Sequence, residues 1–367
     1  MKLFPALEKA YTKEQYSARD AQRMAEFIAF GPIVFQASRL MIKFGIFQLL
    51  RDNDEGLTRQ EISAATGLSD YAVKVLTDAS LTIGSILVDT ESSKFTLSKI
   101  GWFLLNDPRT RVNIDFNHDV NYEGWFNLEE ALLEGKPAGL RHFGNWATVY
   151  EGLSSLPAQV QKSWFGFDHF YSDGSFDQAL EIVFGDRTRN LIDVGGNTGR
   201  WAMRCVEYDK NVNVTIMALP QQLEMMREQT RGKEGAERIH GYGLNLLDPA
   251  SAFPTDKEYD AIWMSQFLDC FSLDEIVSIL SRAAKIMTPD TRLYIMETLW
   301  DRQKYDTAAF CLTMTSLYFT AIANGNSKMY NTEDMENAVR RAGLEVERIH
   351  DHLGQGHSIM VCRKMNR

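Results

Sequence analysis

Short apolar runs and longer amphipathic stretches alternate through the second half of the chain. Apolar runs at 190–194, 212–217, 239–242, 259–264 and 292–297 read as five strands. Stretches with helical spacing at 201–207, 222–229, 272–286 and 332–342 separate or follow them. Two further strand-like runs, 344–350 and 357–363, close the chain with no helix between them. Strands joined through helices imply right-handed parallel crossovers, and the closing pair is expected to be antiparallel. The pattern predicts an α/β domain built on a seven-stranded sheet.

The first half reads differently. Residues 1–20 are polar and peripheral, and 21–50 follow a helical pattern rich in Phe, Ile, Leu and Met. That apolar surface is too broad for one side of a lone helix, so a partner is expected to cover it. A dimer interface is preferred to an intrachain core. Thr58-Arg59-Gln60-Glu61 is a capping box at a helix start. A short helix over 61–66, a turn at Gly67, a second helix over 70–79, and strands at 86–89 and 94–98 complete a winged-helix pattern. From 103 to 184 the chain reads as helices and loops rich in aromatics, including Trp125, Phe143, Trp146, Tyr150, Trp164 and Tyr171.

Composition narrows the function classes. Lys+Arg 39 against Asp+Glu 49 gives a net charge of −10, and the second winged-helix helix carries Asp70, Lys74 and Asp78. A DNA reader needs a basic recognition helix, so DNA binding is disfavoured. The four cysteines, Cys205, Cys270, Cys311 and Cys362, form no C-x-x-C pair. Neither a zinc site nor a redox motif is indicated, and a reducing cytoplasm is expected. The N-terminus lacks the apolar core of a signal peptide, and no run approaches the roughly 20 apolar residues that span a bilayer.

Candidate chemistry centres on Asn190-Leu191-Ile192-Asp193-Val194-Gly195-Gly196-Asn197-Thr198-Gly199. A strand, a glycine turn and a helix follow one another here. Gly195 and Gly196 lack a Cβ, so a ligand is expected to lie against bare backbone. Asp193 stands at the carboxyl end of its strand, where open α/β sheets bind ligands. The G-G-x-x-G spacing departs from the dinucleotide fingerprint G-x-G-x-x-G.

The loop resembles motif I of class I methyltransferases that use S-adenosylmethionine, in particular the small-molecule O-methyltransferases of the plant caffeate and bacterial polyketide type. The resemblance extends from about residue 20 to the end. It implies a Rossmann-like seven-stranded domain over 186–367, a winged-helix dimerisation domain over 1–105, and a helical linker over 106–185 that roofs the substrate pocket. It also implies a homodimer, with neither nucleic acid nor membrane as partner and no metal.

Carried over residue by residue, the resemblance assigns cofactor contacts to Asp193, Gly195, Gly196 and Gly199. Asn197 stands where the family has a third glycine. Where the family reads D-L-P, with an Asp on the ribose hydroxyls, this chain reads Ala218-Leu219-Pro220. Losing that carboxylate is expected to weaken binding by about ten- to a hundred-fold unless Gln221, Gln222 or Glu224 substitutes for it. Asn245 aligns with the Asp that faces the adenine amine, and Leu246 and Leu247 are placed to flank the ring.

The general base of the family is a His in L-H-D-W. Here Phe267-Leu268-Asp269-Cys270 puts Asp269 in that place. An Asp near pKa 3.9 is a weaker base than a His near 6.5, so Asp269 works only if burial raises it or the hydroxyl is unusually acidic. His169, among aromatic neighbours, is the alternative base. Glu297 matches a family carboxylate that orients the base, and a second such carboxylate is missing at Tyr330-Asn331. The expected function is methylation of an aromatic or polyene metabolite on oxygen by in-line displacement. The alternative is a member that kept the fold and lost methyl transfer. A third reading, a metabolite-responsive DNA-binding regulator, is disfavoured by the charge.

Overall fold

The protein is described from a computed structural model covering residues 2–185 and 187–365. It divides into two compact units, one over Glu14–Val120 and one formed by residues 2–13 with Asn121 onward.

The smaller unit begins with helices Ala18–Ala29, Gly31–Lys43 and Ile46–Arg51. Helix Arg59–Thr66 carries the expected capping box: Thr58 accepts from the Glu61 amide, and Glu61 accepts from the Thr58 amide. Helix Asp70–Ile83 runs a turn further than its pattern predicts and stops at Gly84, whose φ of +86° is left-handed. Strands β1 (Ile86–Asp89) and β2 (Lys94–Leu97) pair antiparallel as the wing. Met41, Ile46, Phe47, Ile62, Val73 and Phe95 form the core of this unit. Helix Ala18–Ala29 buries none of its residues. Met24, Phe27, Ile28, Phe30 and Ile33 are exposed there and just beyond, with Ile28 at 70 %.

The larger unit holds strands β3 (Asn190–Val194), β4 (Asn213–Ala218), β5 (Ile239–Gly243), β6 (Ala261–Ser265), β7 (Arg292–Glu297), β8 (Leu344–Leu353) and β9 (His357–Lys364). They lie in the order β5-β4-β3-β6-β7-β9-β8. The first five are mutually parallel, while β9 runs antiparallel to both β7 and β8. This is the seven-stranded sheet that the alternation of runs predicts. Period-two alternation along the strands sends side chains to two separate cores. Ile192 and Val194 join the helices Leu273–Ile286 and Thr332–Arg341 on one face. Leu191 points to the other face, with helices Phe176–Phe184, Arg200–Tyr208 and Pro220–Thr230. There Trp201 stacks on Trp263 at 4.3 Å and 18°. Reversal of strand order between β3 and β6 opens a crevice at the carboxyl ends of the sheet, and the candidate chemistry gathers there.

Among the described residues no single helix is long and apolar enough to cross a membrane.

Candidate active site at the carboxyl ends of the sheet

The glycine loop follows directly from β3. The Gly195 amide donates to the Met217 carbonyl at 2.8 Å, tying the loop to the end of β4. Gly195 and Gly199 have φ of +74° and +80°, the left-handed region where a Cβ is strained. Asn197 sits at +46°, and Asn tolerates that region better than most residues. This explains how Asn replaces the third glycine without breaking the turn.

On the side where a Cβ would stand, the glycines face protein and are not open to a ligand. A Cβ on Gly195 would come within 2.4 Å of the Phe267 ring, and one on Gly196 within 2.3 Å of Asp193 Oδ2. A Cβ on Gly199 would lie 3.0 Å from Met226 Cγ, so this residue lets the loop pack against helix Pro220–Thr230. The small residues are needed for loop packing first.

Asp193 is 2 % exposed, and its Oδ2 has no hydrogen-bond partner. Burial pushes its carboxyl up to about 7. Ala218 ends β4 buried, and its carbonyl accepts from the Leu244 amide at 3.1 Å, joining the loops after β4 and β5. Leu219 is the N-cap of helix Pro220–Thr230. Asn245 Oδ1 accepts from the Leu247 amide at 2.9 Å, so its carbonyl already closes its own turn. Leu246 is buried in the core, whereas Leu247 is exposed.

The residues present fit a nucleoside cofactor. An orphaned buried carboxylate oxygen underlies a turn whose backbone only Gly and Asn hold comfortably, at the topological switch point. The loop 195–199, Leu219 and the Asn245 turn are the elements that would hold it.

The turn after β6 carries the candidate base. Gln266 takes φ +44°, with its amide bonded to the Met296 carbonyl at 2.9 Å, and a 3-10 turn Leu268–Cys270 follows. Glu297, at the end of β7, accepts the amides of Phe267 (3.1 Å) and Leu268 (2.9 Å) on one oxygen. Its support is therefore given to the backbone of the turn. Its other oxygen, Oε2, is buried without a partner. The Asn324 side-chain amide donates to the Cys270 carbonyl, and the Tyr330 hydroxyl donates to the Phe271 carbonyl at 2.7 Å. Three side chains thus pin the turn in place.

Asp269 itself is 5 % exposed, and the Cys270 thiol reaches its Oδ1 at 3.5 Å. Burial pushes its carboxyl up to about 6. Burial and the charge of Asp269 push Glu297 well above the usual carboxylate range.

Helix Ala158–Ser172 places two neighbours in different surroundings. His169 lies 5.9 Å from the Phe165 ring and lines a cavity of about 590 Å³ with Phe165, Thr198, Arg200, Met203 and Lys233. Burial and the Arg200 charge hold its imidazole below the ordinary value. The charges that reach it are those of Arg200 and Asp173. Asp168 is the residue within the field of Asp269: burial first, then the charges of Asp269 and Asp173, push its carboxyl up to about 7. Tyr150 and Tyr318 border the same site. Both phenols are held above the ordinary value by burial first, with Cys270 and Asp269 adding to it. The Trp164 indole donates to the Tyr318 hydroxyl at 2.7 Å, and Trp164 lies one helical turn before Asp168.

Sequence reasoning missed Asp168, Tyr318 and Asn324 as site members and carried Tyr150 only among the aromatics of the linker. The signal for Asp168 was its place beside His169 in an aromatic run, one helical turn after Trp164. Asn324 opens a glycine turn, Asn324-Gly325-Asn326, which marks a turn in the sequence and not a site.

Comparisons with known proteins bear on the two domains and the fold. A Dimerisation2-like domain matches residues 22–95, and a methyltransferase domain matches residues 167–349. An L-tyrosine C(3)-methyltransferase from Streptomyces lavendulae is 22 % identical over 88 % of this chain and 86 % of its own length. A mitomycin biosynthesis 6-O-methyltransferase from the same organism is 21 % identical over 85 % and 86 %. Among solved structures, a mitomycin 7-O-methyltransferase superposes with a TM-score of 0.69 at 18 % identity, covering 95 % of this chain and 98 % of that one. Human N-acetylserotonin methyltransferase in complex with S-adenosylmethionine superposes with a TM-score of 0.61 at 17 % identity, covering 97 % and 99 %. The N-terminal dimerisation domain, the seven-stranded sheet and the glycine loop converge: this chain belongs to the two-domain family of S-adenosylmethionine-dependent small-molecule methyltransferases.

Proposed function

We propose that the protein methylates an oxygen of an aromatic or polyene metabolite, with Asp269 as the general base. The supporting observation is the burial of Asp269 on a turn pinned by Glu297, Asn324 and Tyr330. Burial brings its carboxyl to about 6, which removes most of the deficit against a His base near 6.5. S-adenosylmethionine, when bound, supplies a methyl group on a cationic sulfur that is open to in-line displacement. The chain's own part is to position the acceptor oxygen and take its proton on an Asp269 carboxylate oxygen. Glu297 keeps the turn fixed during that transfer. Trp164, Tyr150 and Tyr318 give a flat acceptor apolar walls.

A second reading concerns the methylated atom. A deprotonated phenol is nucleophilic at oxygen and at the adjacent ring carbon. One relative is named as a C(3)-methyltransferase of L-tyrosine, which favours ring carbon as the alternative acceptor. Incubation with isotope-labelled S-adenosylmethionine and a panel of phenols, followed by product NMR, tests both readings. A methoxy product supports the first and an aryl methyl the second. Transfer to no member of the panel, given cofactor binding, counts against both.

The exposed apolar residues Met24, Phe27, Ile28 and Ile33 support a homodimer formed through the N-terminal unit. Among the described residues the cysteines form no disulfide, which is consistent with a cytoplasmic setting.

A further inference from the structure

The loop after β5 is held by a buried cation from a neighbouring helix. Arg282 lies on helix Leu273–Ile286 and is 7 % exposed. Ile276, Ile279, Leu280 and Ala283 fix that helix to the sheet, in the same core as Ile192 and Val194. From this base one terminal nitrogen of the guanidinium donates to the Leu246 carbonyl at 2.6 Å. The other donates to the Asp248 carbonyl at 3.0 Å, the Ser251 carbonyl at 3.2 Å and the Ser251 hydroxyl. Nε donates to the Ser278 carbonyl of its own helix at 3.2 Å. All three nitrogens are thus committed, and every partner outside the helix lies within 246–251.

Packing alone does not account for this residue. A buried cation is costly unless its donors are met, and here neutral oxygens of one loop meet them. That loop has little else to fix it. Leu246 and Phe253 are buried, but Leu247, Asp248, Pro249 and Ala250 between them are exposed. Its own bonds are short in range: the Asp248 amide to the Asn245 carbonyl at 3.2 Å, and the Ser251 amide to the Asp248 carbonyl at 3.0 Å. The same segment opens on the Asn245 turn, which the bond from the Leu244 amide to the Ala218 carbonyl ties to the end of β4. Asn245 and Leu247 are exposed on either side of the buried Leu246, Leu247 at 45 %. An uncovered apolar side chain beside an exposed amide suits the face and edge of a purine.

We propose that Arg282 is the positioning residue for the nucleoside end of S-adenosylmethionine. It holds the Leu246 carbonyl, and through that peptide it sets Asn245 and Leu247 in the arrangement that receives the base. This rests on the placement of the nucleoside at the Asn245 turn. It asks nothing of Asp269 or of the methylated atom. The guanidinium spends its donors on the protein, so it acts through the loop, and its loss falls on cofactor affinity. A planar fork is needed to bridge carbonyls on both sides of the loop, which a lysine ammonium does only in part.

The test titrates S-adenosylhomocysteine into the full-length wild type, Arg282→Met and Arg282→Lys, well below the unfolding temperature of each. Methionine keeps the apolar stem and removes the donors, and lysine keeps the charge without the fork. Arg282→Met should raise Kd by roughly ten- to a hundred-fold, the range for a hydrogen bond to a charged group. Arg282→Lys should recover part of that loss. Hydrogen exchange over 244–253 is read alongside: the ligand should slow it in the wild type, and Arg282→Met should speed it in the free protein. A folded Arg282→Met that binds as the wild type does overturns the proposal, even where its unfolding temperature drops, because the residue is then a structural clamp alone. A lysine variant no better than the methionine variant also overturns it. Should Arg282→Met fail to fold, the wild-type exchange decides, and no slowing over 244–253 in the ligand complex overturns the proposal. A wild type that binds no ligand defeats the cofactor placement itself, whereas wild-type binding with an unaffected Arg282→Met defeats this proposal alone.

Discussion

The Tyr330 hydroxyl donates to the Phe271 carbonyl at 2.7 Å, where the resembling enzymes carry a carboxylate. A residue that looked like a loss in the sequence thus holds the far end of the base turn. Tyr330→Phe removes one hydrogen bond of about 1 kcal/mol. It should lower kcat several-fold and leave the affinity for S-adenosylhomocysteine unchanged. Steady-state kinetics beside calorimetry checks this, and an equal loss in cofactor affinity would mean that the turn serves binding instead.

Asp269→Asn removes the base and keeps the shape. Turnover should fall by roughly 10²- to 10⁴-fold, the usual contribution of a general base. Cofactor affinity should hold.

The pH profile follows from the same residue. A base works when deprotonated, so kcat/KM should rise with pH through an apparent value of about 6. Glu297 shares the titration, so that value belongs to the pair. A profile flat from pH 5 to 8 would remove Asp269 from the proton transfer.

Stability should move the other way with pH. Burial pushes Asp193 from the usual 3.8 to about 7 in the folded chain. Between those values the folded state holds a proton that the unfolded state releases, so stability is lost as pH rises from about 4 to about 7. Asp193→Asn should therefore flatten the dependence, being closest to wild type near pH 4 and relatively more stable at pH 8. Thermal unfolding at the two pH values measures it. The variant sits under the glycine loop, so a parallel loss of cofactor affinity is expected.

The N-terminal unit offers an independent test. Ile28→Asp places a charge in the exposed apolar group on helix Ala18–Ala29 and its neighbour. Sedimentation should show the wild type as a dimer and the variant shifted to monomer. A monomeric wild type would mean that this face has another partner.

Much of the fold was legible because its signals are local. Apolar runs ending in Val194, Met217 and Glu297 became strands, and the Thr58–Glu61 capping box lies within four consecutive residues. The base turn was legible in part, since Asp269 and Glu297 stand at strand ends where parallel sheets put their chemistry. What escaped depends on contacts far apart in the chain. Asp168 feels the charge of Asp269 from about a hundred positions away in the chain, and the face of Gly195 is covered by Phe267 from a different strand end. His169 was attractive as a titratable ring among aromatics, but helical geometry turns adjacent residues about 100° apart. Its neighbour Asp168 feels the charge of Asp269, while His169 lines a cavity with Arg200.

If position 218 faces the ribose as the resemblance implies, Ala218→Asp should tighten cofactor binding by about ten- to a hundred-fold. That gain presupposes that the wild type binds at all, which is the central claim. Calorimetric titration of the wild-type protein with S-adenosylmethionine and S-adenosylhomocysteine tests it most directly. Micromolar binding to one site per chain is the predicted result. No heat of binding at millimolar ligand would contradict the account and leave the glycine loop and Asp269 as remnants of a lost activity.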